Sequence, residues 1–331
     1  MAKKTVLKEE IEKGETIVNP ETETITKDEK ISEETKTKEP DLDNFKEIID
    51  LVWAEQDISK LREFFFKHVG KIISRHPVSK QYLVLFLYDE NNSINEKMTD
   101  NIYNAIPDKN DKPILLILHS KGGQVETAYL ISKTCIEKSP KFIVAIPRRS
   151  KSAATLISIG ATEIHMGSMS ELGPIDPQFG NLPALGLSSS LESIAKVVSK
   201  YPKSSEMFAK YLSDQLNLRI LGYFERVSES AEQYAIRLLK GKTTPKEIQD
   251  IAHALVYEYK DHSFVIDKDE ARNFLGDIIK TNTPEYKLSN DIHKFMSNLN
   301  WVAGLLRKKN LEIVGTYRDF AVTDISEKDK Q

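Results

Sequence analysis

The sequence has one cysteine, Cys135, among 331 residues. That excludes an intrachain disulfide and a cysteine-rich metal site, and it fits a reducing compartment. Long apolar runs are also missing. The longest, "LVLFLY" (83–88) and "ILLIL" (114–118), have strand length, far short of the roughly 18–20 residues that span a bilayer. Charge of one sign is missing too: 47 Lys and Arg face 50 Asp and Glu, a formal net of -3. No basic field therefore invites nucleic acid. The opening "MAKKTVLKEE" carries no apolar signal core after its lysines, so a cytoplasmic protein without a transmembrane segment is expected. No segment repeats at a fixed period.

What is present divides unevenly. Residues 1–40 hold 8 Lys, no Arg and 11 Asp plus Glu, and no aromatic side chain. Such a segment buries too little apolar area to offset its ordering entropy, so a disordered charged tail is expected there. Residues 41–78 follow as an amphipathic helical arm. Within it, 41–73 repeats apolar residues at three- and four-residue spacing, with Phe45, Ile48, Ile49, Val52, Trp53, Phe64 and Phe65 on one side.

From residue 79 to 285 the pattern is that of an α/β domain. "YLVLFLY" (82–88), "PILLILHS" (113–120) and "FIVAIP" (142–147) read as buried strands. Between and after them, a short helix near 93–105 and helices at 123–139 and 152–161 are expected, then a short strand at 163–167. Strands apolar on both faces, alternating with helices, indicate a parallel sheet covered on both sides. Segments 191–200, 205–240 and 244–259 read as helices. A C-terminal extension, 286–331, carries late strand character in "EIVGTYRDFAV" (312–322).

Four stretches hold chemistry. "LHSKGG" (118–123) ends a strand and opens a helix. Its paired glycines allow close backbone approach, and the helix start offers free N–H donors for an oxyanion. The turn has neither Gly-x-Gly-x-x-Gly nor Gly-Lys-Ser/Thr, so no nucleotide cofactor is expected. "KSAATLIS" (151–158) places Ser152 at the carboxyl edge of the sheet, where open α/β sheets hold ligands. Ser152 is there a packing residue, a helix cap or a nucleophile, and Ala153 and Ala154 leave room for substrate at its oxygen. "LGPIDPQFG" (172–180) presents Asp176 between two prolines, as a turn former or as a functional carboxylate. "DHSFVI" (261–266) puts His262 at the entrance of an expected short strand, followed by the helix "DKDEARNFLG" (267–276). His119 and His165 lie near the sheet, but no metal-ligand spacing joins them to carboxylates or to Cys135. No metal site and no cofactor are expected.

Read in order, these stretches resemble the serine dehydrogenase proteinase family, a branch of the Clp-protease/crotonase superfamily related to signal peptide peptidase A. The resemblance covers roughly 80–280 and is most specific at 152–178. It implies an α/β fold, a Clp-protease/crotonase-like spiral of β-β-α units with a mostly parallel sheet, with helical additions at both ends here. It implies a serine peptidase. Ser152 matches the nucleophile of a Ser-Ala-Gly-Thr motif that is Ser-Ala-Ala-Thr here. Gly122 and Gly123 match a Pro-Gly-Gly turn that supplies the oxyanion hole together with the amide of Ala153. Lys121 stands in the place of that proline. His262 matches the histidine of a His-Asp-Tyr-Pro-Ile motif. Histidine and carboxylate are exchanged relative to the Clp protease, so the expected triad is Ser152, His262 as base, and Asp176 as its orienter.

The rival base is a lysine, Lys196, Lys200 or Lys203, which would need strong desolvation. The rival functions are an inactive binding scaffold on the same fold and an acyl-CoA enzyme. A homo-oligomer acting on peptide or protein substrates is expected.

Overall fold

In a computed structural model, the structure describes residues 39–179, 182–215 and 218–325. The tail expected at 1–40 lies outside these residues except for Glu39 and Pro40. Pro40–Gln331 forms one compact unit.

Two helices open it, α1 (Phe45–Ala54) and α2 (Ile58–Arg75), each capped by a side chain that accepts a backbone N–H, Asn44 and Asp57. The elements then alternate: β1 (Leu83–Tyr88), α3 (Glu96–Ala105), β2 (Ile114–His119), α4 (Val125–Glu137) and β3 (Phe142–Ile146). A two-residue strand β4 (Arg149–Ser150) leads to α5 (Ala153–Gly160) and β5 (Glu163–Met166). Three more short strands, β6 (Glu171–Leu172), β7 (Gln178–Phe179) and β8 (Leu182–Pro183), precede a helical excursion, α6 (Ala184–Lys200), α7 (Ser205–Gln215), α8 (Leu218–Leu239) and α9 (Pro245–His253). The chain closes with α10 (Lys268–Leu275), β9 (Ile279–Lys280), α11 (Pro284–Arg307), β10 (Lys309–Gly315) and β11 (Phe320–Asp324).

The main sheet runs β11-β10-β1-β2-β3-β5-β9. Its β1, β2, β3, β5 and β9 are mutually parallel, while β10 and β11 form an antiparallel hairpin at the other edge. The late strand expected at 312–322 is therefore a hairpin of two strands, turned at Thr316–Asp319. The continuous apolar runs follow from burial on both faces. Leu85, Leu87, Leu116, Leu118, Val144 and Ile146 pack under α3, α4, α5, α8 and α9. Phe86, Tyr88, Leu115, Ile117, Ile143 and Ala145 pack under α1, α2 and α11. The fold is mixed α/β with a mostly parallel central sheet.

The helical arm at 41–78 is part of this second layer. Ile48, Val52 and Phe65 are buried, and Phe65 meets Phe295 and Phe320 edge-on or tilted. Phe45 and Trp53 remain exposed. The division at 285/286 falls inside α11, whose Leu288, Ile292, Met296 and Leu299 complete the core below the sheet.

Candidate active site

The carboxyl ends of β2 and β3 carry a second, smaller ladder. Ser120 bridges Ser150 in parallel, β4 pairs with β6 through Ser150 and Leu172, and Leu172 bridges Ile266 antiparallel. Every expected site residue lies within four positions of one of these rungs. Gly122 and Gly123 follow Ser120, Ser152 follows Ser150, Asp176 follows Leu172, and His262 precedes Ile266. The strand expected at 263–266 is only this one bridge at Ile266. The preceding residues form a turn instead, because Asp261 Oδ1 accepts from the Ser263 N–H at 2.8 Å and Phe264 N–H donates to the Asp261 carbonyl.

Ser152 sits at the cap position of α5 but does not cap it: its hydroxyl makes no capping hydrogen bond. Its backbone has φ 52° and ψ -123°. The Ala154 N–H donates to the Lys151 carbonyl at 2.9 Å, so Lys151–Ala154 is a type II′ turn with Ser152 at the position that favours glycine. A serine there is strained by about 1–3 kcal/mol. Neither capping nor a glycine-like conformation explains a serine at this point. Ser152 is half-buried at the helix start.

The glycine turn abuts it. A Cβ on Gly122 would lie 2.7 Å from both the Lys151 carbonyl oxygen and Ser152 Cβ, and 3.2 Å from the Ala153 nitrogen. A Cβ on Gly123 would lie 2.2 Å from the Ile94 nitrogen. Both glycines have positive φ, 106° and 154°, so two independent reasons demand glycine. The Gly122 N–H donates to Ser120 Oγ at 3.1 Å. The Ile94 N–H donates to the Gly122 carbonyl at 2.8 Å, and the Gln124 N–H donates to the Ile94 carbonyl at 3.0 Å. Among the described residues, the N–H groups of Gly123 and Ala153 have no hydrogen-bond partner. Of the three amides expected at an oxyanion hole, Gly122 is thus already committed, and Gly123 and Ala153 are free to donate.

His262 and Asp176, 86 positions apart, meet directly. His262 Nδ1 lies 2.6 Å from Asp176 Oδ1. The second carboxylate oxygen accepts from Gln178 Nε2 at 2.7 Å. Asp176 is 3% exposed, so this carboxylate is buried with both oxygens partnered. His262 is half-buried.

Two residues that sequence reasoning missed tie these segments together. The buried Thr155 hydroxyl lies 2.7 Å from the Ser150 and Gly173 carbonyls and accepts the Gly173 N–H at 3.0 Å. It clamps the Asp176 loop to the first turn of α5. Lys151 Nζ donates to the Phe264 carbonyl at 2.9 Å and pairs with Glu171 at 3.1 Å, which joins the Ser152 turn to the His262 turn. A Ser-Ala-x-Thr spacing signals Thr155 weakly. Nothing in the sequence signals the partners of Lys151. The alternative lysines, Lys196, Lys200 and Lys203, are all exposed, so the desolvation a lysine base requires is missing at each.

A family model described as ClpP-like SDH-type serine proteinase matches residues 83–299. Among curated proteins, the uncharacterised protein MJ0137 of Methanocaldococcus jannaschii is 30% identical over 175 residues, which cover 53% of this chain and 56% of that one. Its uncharacterised companion MJ1495, from the same organism, is 28% identical over 174 residues, 53% of this chain and 54% of that one. The chain thus spans about half the length of the curated relatives it matches. Among solved structures, the 1510-N membrane-bound stomatin-specific protease matches at 13% identity and TM-score 0.39, over 72% of this chain and 94% of that chain. ClpP1 from Listeria monocytogenes matches at 16% identity and TM-score 0.34, over 66% and 99%. Neither likeness is close enough to carry a residue's role across.

Proposed function

Because the chain belongs to the ClpP-like SDH-type serine proteinase family, we propose that it hydrolyses peptide bonds with the Ser152 hydroxyl as nucleophile. The observation that carries this reading is the His262–Asp176 pair at 2.6 Å, held by the same small ladder that holds the Ser152 turn. A carboxylate on Nδ1 fixes the tautomer whose Nε2 accepts a proton, and it stabilises the imidazolium formed when that proton arrives.

Ser152 Oγ attacks the scissile carbonyl carbon while its proton passes to His262 Nε2. The carbonyl oxygen becomes an oxyanion and accepts the free N–H groups of Gly123 and Ala153. The tetrahedral intermediate collapses, the amine leaves with the proton from His262, and Ser152 is left acylated. Water then repeats the sequence and releases the acid. Asp176 orients the imidazole and stabilises its charged form in both halves of the reaction. No step calls for a cofactor.

The substrate class is peptide or protein, and the working form is a homo-oligomer. For the latter, light scattering at micromolar concentration should give a mass above that of one chain; a monomer mass removes that part of the reading. The function itself is tested on an unstructured, fluorescently quenched protein substrate. Wild type should cleave it, and Ser152→Ala should lose several orders of magnitude of rate with an unchanged melting profile. Equal turnover by the two would end the proposal.

A further inference from the structure

On the α11 side of the sheet, behind the glycine turn, three groups from remote segments converge. Glu90 follows β1, His119 ends β2, and His293 lies midway along α11. One ligand atom from each lies within 4.8 Å of the others. His119 is fully buried and His293 is 7% exposed. The buried His119 Nε2 has no hydrogen-bond partner, and it stands 3.5 Å from Glu90 Oε1. That separation is long for a hydrogen bond. It fits two ligands of one tetrahedral zinc: bonds of about 2.0–2.1 Å place their ends about 3.3–3.4 Å apart.

We propose that Glu90, His119 and His293 form a zinc site that ties β1, β2 and α11 together. Two imidazoles and a carboxylate are a donor set that suits Zn2+, and three protein ligands leave a fourth position for water. The outer partner of the His293 imidazole is present. The Tyr88 hydroxyl lies 2.8 Å from His293 Nδ1 and reaches Glu90 Oε1 at 3.4 Å. Its ring stacks on that of His119 at 4.7 Å. Metal-bound histidines usually have such a partner on the second nitrogen.

The neighbouring charges are Glu90 itself and the guanidinium groups of Arg148 and Arg149. The arginines oppose a cation at this place. The Arg148 guanidinium is in part drawn off by the Pro147 carbonyl and Asn290 Oδ1. Arg149 N–H points at His119 Nδ1 over 3.4 Å. A metal on Nε2 puts the ring proton on Nδ1, where it faces this N–H donor instead of accepting from it, a cost that zinc binding must outweigh. Zinc binding at this cluster needs no turnover and is independent of peptide hydrolysis.

The test is equilibrium dialysis of the full chain against Zn2+ alone, with bound zinc counted per chain. Co2+ serves as a spectroscopic stand-in. Wild type should bind one zinc, give the visible absorption of four-coordinate Co2+, and melt higher as free zinc rises. His293→Gln and Glu90→Gln should each lose at least about tenfold in zinc affinity and the Co2+ absorption. His253→Gln, at an exposed histidine remote from the cluster in sequence and element, should match wild type. A wild-type chain that binds no zinc overturns the proposal. So does zinc affinity unchanged in folded His293→Gln and Glu90→Gln chains.

Discussion

Replacing Ser152 by glycine should stabilise the fold relative to replacing it by alanine. The serine has φ 52° and ψ -123°, at the first central position of a type II′ turn, where a side chain costs about 1–3 kcal/mol. Ser152→Ala removes the hydroxyl and keeps the Cβ, so it keeps that strain. Ser152→Gly releases the strain, about 2 kcal/mol at mid-range. Against this stand about 0.5–1 kcal/mol for glycine's extra freedom in the unfolded chain. A half-buried methyl group adds about 0.4 kcal/mol more on the glycine side's loss. The balance is about +1 kcal/mol for glycine over alanine. Without strain the same sum is about -1 kcal/mol. At about 2–4 °C per kcal/mol for a domain somewhat smaller than this one, the two cases differ by several degrees. Calorimetric melting of the two inactive variants decides between them. A glycine variant that melts about 2–4 °C below the alanine variant would refute a strained nucleophile turn.

Three other perturbations follow from the same contacts. Asp176→Asn keeps the size of the side chain but favours the wrong imidazole tautomer. It should lower kcat by a factor on the order of 10⁴ with little change in melting; a loss under tenfold would contradict an orienting role. Thr155→Val leaves the buried Gly173 N–H without its acceptor and should cost about 1–3 kcal/mol in urea unfolding, with unchanged stability counting against the clamp. Burial holds the Lys242 ammonium, which donates to the Ile159 and Ala161 carbonyls, down to about 7, against about 10.4 unfolded. Folding disfavours that cation, so its penalty is full below about pH 7 and fades as pH rises toward 10. Lys242→Met should flatten this part of the stability curve, and equal slopes in both proteins would contradict it.

The parallel layer was legible because its strands are apolar on both faces, as "LVLFLY" and "ILLIL" are, and because their period leaves no polar side to misplace. The helical arm of 41–73 was legible for a different reason, its apolar residues recurring at three- and four-residue spacing, although that spacing did not decide between one helix and two. "SFVI" misled because three consecutive aromatic or β-branched residues, Phe264, Val265 and Ile266, read as a strand, whereas Asp261 turns the chain and leaves one bridge at Ile266. The C-terminal hairpin was half-seen: Gly315 and Asp319 make the turn that "EIVGTYRDFAV" contains. At the site, Ser152, Gly122 and Gly123 stand in motifs with local signatures. The pairing of His262 with Asp176 crosses 86 positions and was suggested only by resemblance. The commitment of the Gly122 amide to Ser120, the Thr155 clamp and the Lys151 tether depend on side-chain directions that no spacing encodes. The cluster of Glu90, His119 and His293 escaped for the plainest reason, since its members are brought together by β1, β2 and α11 and by nothing local.

The central claim is that Ser152 is a nucleophile activated by His262, and a fluorophosphonate probe tests it most directly. Such a probe forms a covalent adduct only with an activated serine. Intact mass and peptide mapping after treatment should show one adduct per chain, on Ser152, formed far more slowly in His262→Ala and absent in Ser152→Ala. A folded wild-type chain that gains no adduct at Ser152, or one labelled as fast without His262, would contradict the account.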